Sequence, residues 1–364
     1  MSLVKIVGVD NYNKDILKEG LNEVLERVNI EHIKDKKICA IFDFPQPEFN
    51  LIESIKEYLI GNGAESVEFG SAIFFKEDAY KIKNEFEKRG LIFHNFREEP
   101  YEEFEVDLKT KKTQHFLGYQ ILSPGQYQAE KAFENSDFFK VRTLKKVFIP
   151  VTLSSSDYTV FITKLKDSPV SKIGGFINSL LYIVPTNIRS EIFLKGLSFK
   201  FEDALLDVYG VIKNSVLFGV VDGIQANLTN GIEDEFKILM SSEDLLALDS
   251  VMSVLIGFRS QDIGTNKLGS IYKLGCGLLK EVTLDGVDFT KVRRDLLNKL
   301  KFKNAFSKRF VPVIEKADNT IDEVANFCPT GAIVKDTKGY YVVDKTKCIK
   351  CNFCIEIAPH IFRV

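Results

Sequence analysis

The chain has 364 residues, 45% of them hydrophobic and 27% charged, with 49 Lys and Arg against 51 Asp and Glu and a pI near 6.2. Such values suit a globular protein of two or three domains; they lack the basic excess of a nucleic-acid-binding surface, and no apolar run approaches the ~18 residues a membrane helix needs. The start, Met1-Ser2-Leu3-Val4-Lys5-Ile6, has none of the parts of a secretion signal, so a cytoplasmic protein with neither membrane nor nucleic-acid partners is expected.

Strand and helix patterns alternate over the first hundred residues. The apolar run 4–9 predicts a strand, and 13–28 predicts a helix with Ile16, Leu17, Leu21, Val24, Leu25 and Val28 on one face. A second strand at 37–42 precedes a helix over 50–60, which Gly61-Asn62-Gly63 ends. A third strand at 66–69 precedes a helix over 78–89, closed by Gly90, and a fourth strand follows at 91–94. Alternation of this kind implies a layered α/β domain with a mostly parallel sheet.

The rhythm then changes. Residues 103–108, 114–122 and 145–153 read as strands, and 158–163 reads as a buried strand followed by a lysine-rich turn. A strand at 215–221 leads into a predicted turn at Asp222-Gly223. A helix over 245–256 and a basic helix over 289–301 follow, and Asp285-Gly286 reads as a plain turn. Charge gives way to Phe310-Val311-Pro312-Val313 near 303–312, which places the division at an α/β domain over 1–305 and a small α+β domain over 306–364.

Six cysteines in a chain this long are not a disulfide framework. Four cluster near the end, as Cys328-Pro329 and the run Cys348-Ile-Lys-Cys351-Asn-Phe-Cys354. Three thiolates at this spacing can reach three irons of a cubane, and the fourth iron needs a remote cysteine. The stretch resembles the module of bacterial two-cluster ferredoxins, in which that ligand is the Cys-Pro of the other motif. The resemblance implies one [4Fe-4S] cluster on Cys328, Cys348, Cys351 and Cys354. The other cluster's four positions fall on Asp318, Ile321, Val324 and Ala358. All four are lost while the first set is complete, so one cluster is expected rather than two. Zinc is the competing metal, although structural zinc favours paired C-x2-C knuckles. Cys39 reads as a buried core thiol, and Cys276 lies in a Gly-Cys-Gly turn.

Residues from about 30 to 285 resemble the family catalogued as domain of unknown function 362. The resemblance rests on Asp157-Tyr-Thr-Val-Phe-Ile-Thr-Lys-Leu-Lys166, Val221-Asp222-Gly223 and the helix start Asp244-Leu-Leu-Ala-Leu-Asp249. It implies an α/β architecture that often carries a C-terminal ferredoxin module. This chain departs from the pattern at three places. Asp167-Ser168 stands where the family has Thr-His, Ile177-Asn178 where it has Lys-Asn, and Leu228 where an acidic residue is usual. Any chemistry performed by those side chains is therefore in doubt here.

Candidate residues outside the cysteines are few. Lys164 and Lys166, with Gly174-Gly175 and Asn178 behind them, could hold a phosphate or carboxylate beyond a strand's carboxyl end; a solvated basic turn explains them as well. Asp222 could act as a base or merely form a turn. Asp244 fits a helix N-cap, with Asp249 inside that helix. His94 reads as a satisfied core residue, while His32, His115 and His360 stand alone. No G-x-G-x-x-G or G-x4-G-K-[ST] run is present, and the basic helix near 291–295 reads as a solvated face or a dock for an acidic partner.

Together these features point to an iron–sulfur redox protein that exchanges electrons with a ferredoxin-like donor or acceptor or acts on an unknown small molecule. If it is an enzyme, it is a ferredoxin-linked oxidoreductase. The alternative is a non-catalytic protein whose cluster is structural or senses oxygen or redox state.

Overall fold

A computed structural model describes residues 1–43, 46–107, 109–110, 140–141, 143–198, 200–228, 232–299 and 310–363. Its centre is a sheet whose order runs Val282–Gly286, Ser2–Gly8, Ile232–Ser242, Val216–Leu228, Tyr158–Ser168, Lys37–Phe42, Ser66–Ser71, Phe93–Asn95. Of these eight, Ile232–Ser242 alone runs against the rest. The layered, largely parallel α/β architecture expected from the alternating patterns is therefore present.

Both faces of the sheet are covered, which is why the second strand, Lys37-Ile-Cys-Ala-Ile-Phe42, is apolar without alternation. Side chains still alternate in direction along each strand. Cys39, Ile41, Phe161, Leu165 and Met240 point into one core, and Ile38, Ala40, Phe42, Val160, Ile162 and Leu239 into the other. Helices Lys14–Val24, Phe49–Gly61 and Lys76–Lys88 cover the second face. Asn13 starts the first of them as its N-cap, its side chain accepting from the Asp15 N–H at 2.9 Å. Helices Thr186–Lys195, Phe201–Ile212, Leu245–Leu255 and Gly264–Ile271 cover the first face.

Several local expectations are corrected. The strand at 158–163 continues through Lys164 and Lys166 to Ser168, with no lysine-rich turn. Asp222-Gly223 is likewise no turn: Val216–Leu228 runs through it, paired on one side with Lys164 and on the other with Leu239 and Ile238, with register shifts after Val216 and Asp222 on the first side and after Gly223 on the second. Asp285-Gly286 closes the strand Val282–Gly286, which lies parallel to the first strand. In each case pairing across the sheet outweighs the local turn preference of Asp-Gly. The strand expected at 114–122 and the division at 305/306 lie outside the described residues.

Residues 310–363 form two small two-stranded sheets, Val313–Ile314 with Phe362–Arg363 and Ile333–Lys335 with Tyr341–Val343, and helices Ile321–Phe327 and Phe353–Ile357. This segment packs on the carboxyl edge of the main sheet. Phe74, just beyond the strand Ser66–Ser71, meets Phe327 and Phe353 edge-on at ring distances of 5.2 and 5.5 Å. Arg97, beyond the last strand, stacks on Phe327 at 4.5 Å, and buried Arg189 stacks on Phe74 at 4.8 Å and Phe353 at 5.6 Å.

Candidate metal centre and its polar neighbour

The helix Ile321–Phe327 stops at Cys328, whose Sγ accepts the Ala332 N–H at 3.2 Å. The loop reaches that geometry through Gly331, at φ +59°. In the second cysteine loop Lys350 and Asn352 are left-handed, at φ +57° and +61°. Two such residues together cost on the order of 2 kcal/mol or more, so the surroundings hold the loop in this curl. The curl brings Cys348, Cys351 and Cys354 to the same apolar cavity that Cys328 borders, with Phe327, Ile333, Val343 and Ile349 in its wall.

Burial pushes the Cys351 thiol up to about 12, helped by the Cys328 and Cys348 sulfurs, and pushes Cys354 above its ordinary range for the same reasons. At neutral pH such sulfurs become thiolates only when a cation neutralises them. Four sulfurs around an apolar cavity, one of them receiving a backbone N–H, fit an iron–sulfur cluster. Among the described residues no three His, Cys, Asp or Glu side chains converge on one ion position. Zinc would need its sulfurs about 2.3 Å from a single centre, whereas a cubane spreads its thiolates over four irons. All four thiols are free.

The other half of the ferredoxin-type pattern is filled with hydrocarbon. Ile321, Val324 and Ala358 are buried in the shared core. Asp318 faces solvent chemistry instead, capping Thr320 and pairing with His360 at 3.0 Å.

Beside the cysteine loop lies a buried polar network that the sequence did not reveal. Asp43 directly follows the second strand. It accepts from Lys166 at 2.8 Å, from Thr163 Oγ1 at 3.0 Å and from Ser179 Oγ at 2.6 Å. The Lys166 and Asp43 side chains are 8% and 0% exposed, so the Lys166 ammonium is neutralised in place rather than presented to an outside anion. Glu356, two residues after Cys354, extends the network across the interface. Its Oε1 accepts from Asn178 Nδ2 at 2.9 Å and Tyr182 OH at 3.3 Å, and its Oε2 from Ser168 Oγ at 2.5 Å. Asn178 Oδ1 is buried without a partner. Gly174-Gly175 is required by close packing here: a Cβ would lie 2.5 Å from Lys166 Cγ at the first glycine and 2.2 Å from Asp249 Oδ1 at the second. Asp249 accepts the Phe176 and Ile177 N–H groups at 2.7 and 3.1 Å, and burial pushes its carboxyl up to about 7.

Asp222 lies elsewhere. Its two carboxylate oxygens share the Tyr12 O–H, at 2.8 and 2.9 Å, and Oδ1 also accepts from the Ile224 N–H at 3.1 Å. Burial pushes it up to about 6, which Lys164 opposes from the paired position on the next strand. Tyr12 packs with the second core and Tyr182 with the first. The structure thus sets Lys166 against Asp43 and Asn178 against Glu356, and pairs Lys164 with Asp222 on the neighbouring strand.

Asp244 is the N-cap of Leu245–Leu255, accepting from Leu246 and Ala247 N–H groups. Cys39 is buried, and burial pushes its thiol up. His94 is not a core residue: its side chain is 28% exposed between Glu68 Oε2 at 2.7 Å and Glu99 Oε1 at 2.9 Å. Two carboxylates flanking a strand-end histidine outweigh the apolar character of its neighbours Phe93 and Phe96.

Residues 127–253, about a third of the chain, match the family described as Domain of unknown function (DUF362). The match is narrower than the 30–285 expected, and it contains Lys164, Lys166, Asn178, Asp222 and Asp249. A stretch of 36 residues is 50% identical to a probable iron-sulfur subunit of the Frd operon of Proteus vulgaris. That similarity covers 10% of this chain and 22% of the relative, so the chain spans about a fifth of the protein it matches. Among the described residues no helix is long and apolar enough to cross a membrane.

Proposed function

We propose that this chain is an iron–sulfur redox protein with two parts, an α/β domain over 1–305 and a ferredoxin-like domain over 306–364. Cys328, Cys348, Cys351 and Cys354 would hold one [4Fe-4S] cluster, which supplies a one-electron couple when bound. The observation that carries the reading is the single apolar cavity bordered by all four thiols. The short likeness to a probable iron–sulfur protein supports it.

The residues around the cavity have distinct tasks. The Ala332 N–H holds the Cys328 sulfur in place at the cavity wall. Phe327, Phe353 and Ile349 keep water from the cavity. Glu356 ties the cysteine loop to Ser168, Asn178 and Tyr182, so the loop and the polar network share one carboxylate. That network lies at the carboxyl edge of a parallel sheet, where α/β proteins bind ligands. A small molecule at this edge, or a protein docked near it, would lie close to the cysteines.

A second reading, in which the cluster is structural or senses oxygen, is favoured by the continuous core. Val324, Phe327 and Phe353 belong to the same hydrophobic cluster as Phe74, Phe193 and Phe201. Anaerobic purification followed by iron, sulfide and zinc analysis tests the shared premise. About four irons and four sulfides per chain are expected. Stoichiometric zinc, or about eight irons, overturns the ligand assignment.

A further inference from the structure

At the seam between the two parts, the side chains of Val170, Phe193, Leu197 and Phe201 line a small shallow depression together with Ile349 and the cysteine Cys351. Leu197 is 60% exposed and the neighbouring Leu194 is 41% exposed. Here Cys351, a proposed cluster ligand, is partly accessible. Transfer of an electron weakens steeply with distance, so a partner must approach where a ligand is reachable.

The rim of this depression is basic. Lys195 and Lys200 flank its helical wall, and Lys350 lies between Ile349 and Cys351. Lys345 and Lys347 precede the same cysteine loop, and Lys200, Lys345, Lys347 and Lys350 are all exposed. Three acids answer them: Glu191, 3.5 Å from Lys195, Asp344, 3.8 Å from Lys347 and already bonded to Thr346 in its own turn, and Glu202, next to Phe201. Five lysines against three carboxylates is a local excess in a chain whose net charge is −2. An apolar centre with a charged rim is the anatomy of a transient protein interface, and the sign of the rim selects the sign of the partner.

We propose that this depression is the docking site of an acidic redox protein, which approaches Cys351 over the apolar floor while Lys195, Lys200, Lys345, Lys347 and Lys350 steer it. The inference rests on the electron-transfer reading of the cysteines. One electron passes between the reduced partner and the cluster, so the partner is oxidised by one electron and the cluster reduced by one, with no bond made or broken.

The test uses the full chain purified without oxygen and a chemically reduced, acidic bacterial two-cluster ferredoxin as probe. Association is followed by surface plasmon resonance, and electron transfer by stopped-flow absorbance. Raising the salt from about 50 to 500 mM should slow association at least about tenfold. The triple variant Lys195→Glu, Lys200→Glu, Lys347→Glu should slow it by about the same factor at low salt, with iron content and reduction by dithionite unchanged. Should that variant lose iron, the salt series on the unaltered chain decides. Association insensitive to salt in a chain that holds iron overturns the docking site alone. An unaltered chain without iron overturns the reading beneath it.

Discussion

Glu356 is the residue through which the cysteine loop and the sheet edge meet. Replacing it with Ala would leave Asn178 Nδ2 and Ser168 Oγ buried without their acceptor. Each such group costs about 1–3 kcal/mol, so Glu356→Ala should lower stability by at least that much in chemical denaturation, and Glu356→Gln by less. The pair Lys166 and Asp43 is more deeply held. Asp43→Ala should destabilise by about 3–5 kcal/mol because it strands a buried ammonium. The double variant Asp43→Leu, Lys166→Met should cost less than the sum of the two single changes, as a double-mutant cycle would read.

Asp222 and Asp249 also set a pH dependence. Burial raises their folded pKa values to about 6 and about 7, from an ordinary 3.8. Between these limits the folded chain binds more protons than the unfolded one, so this part of the stability is full below about pH 4 and is lost as pH rises through 6 to 7. Asp222→Asn should therefore flatten the denaturation midpoint between pH 4 and 6 relative to the unaltered chain. An unchanged slope would contradict the buried, protonated carboxyl.

At the scale of elements, period was informative where strands are buried on both faces and helices are amphipathic. The first three strands, the first three helices and Leu245–Leu255 lie where their patterns placed them. The strand Ile232–Ser242 escaped notice because Glu233, Asp234, Glu235 and Lys237 interrupt its apolar pattern. Helix Thr186–Lys195 escaped because its apolar residues do not gather on one stripe. Asp222-Gly223 and Asp285-Gly286 misled for one reason: turn chemistry is local, and strand pairing is not. The cysteine grouping was legible because all four lie within twenty-seven consecutive residues. The polar network was not, since Asp43, Lys166, Ser179 and Glu356 converge only through the fold. Asp43 did carry one signal, an acid placed immediately after a strand that is apolar from Ile38 to Phe42. Phe74 is where the elements join, touching Tyr182, Phe327 and Phe353. Phe74→Ala should cost about 3–5 kcal/mol in denaturation and loosen residues 310–363 first, as faster amide exchange there would show.

In the whole molecule, aromatic contacts, two arginines and one shared carboxylate join the cysteine cavity to the edge of a parallel sheet. On the proposed reading this joined unit carries one reversible one-electron couple. The most direct measurement is a redox titration of the anaerobic protein, followed by EPR at low temperature. A single S = 1/2 signal of about one spin per chain is expected, appearing and disappearing along a one-electron Nernst curve and absent from Cys348→Ser. Four irons per chain with no reducible signal within the physiological range would contradict that reading and assign the cluster to structure or sensing.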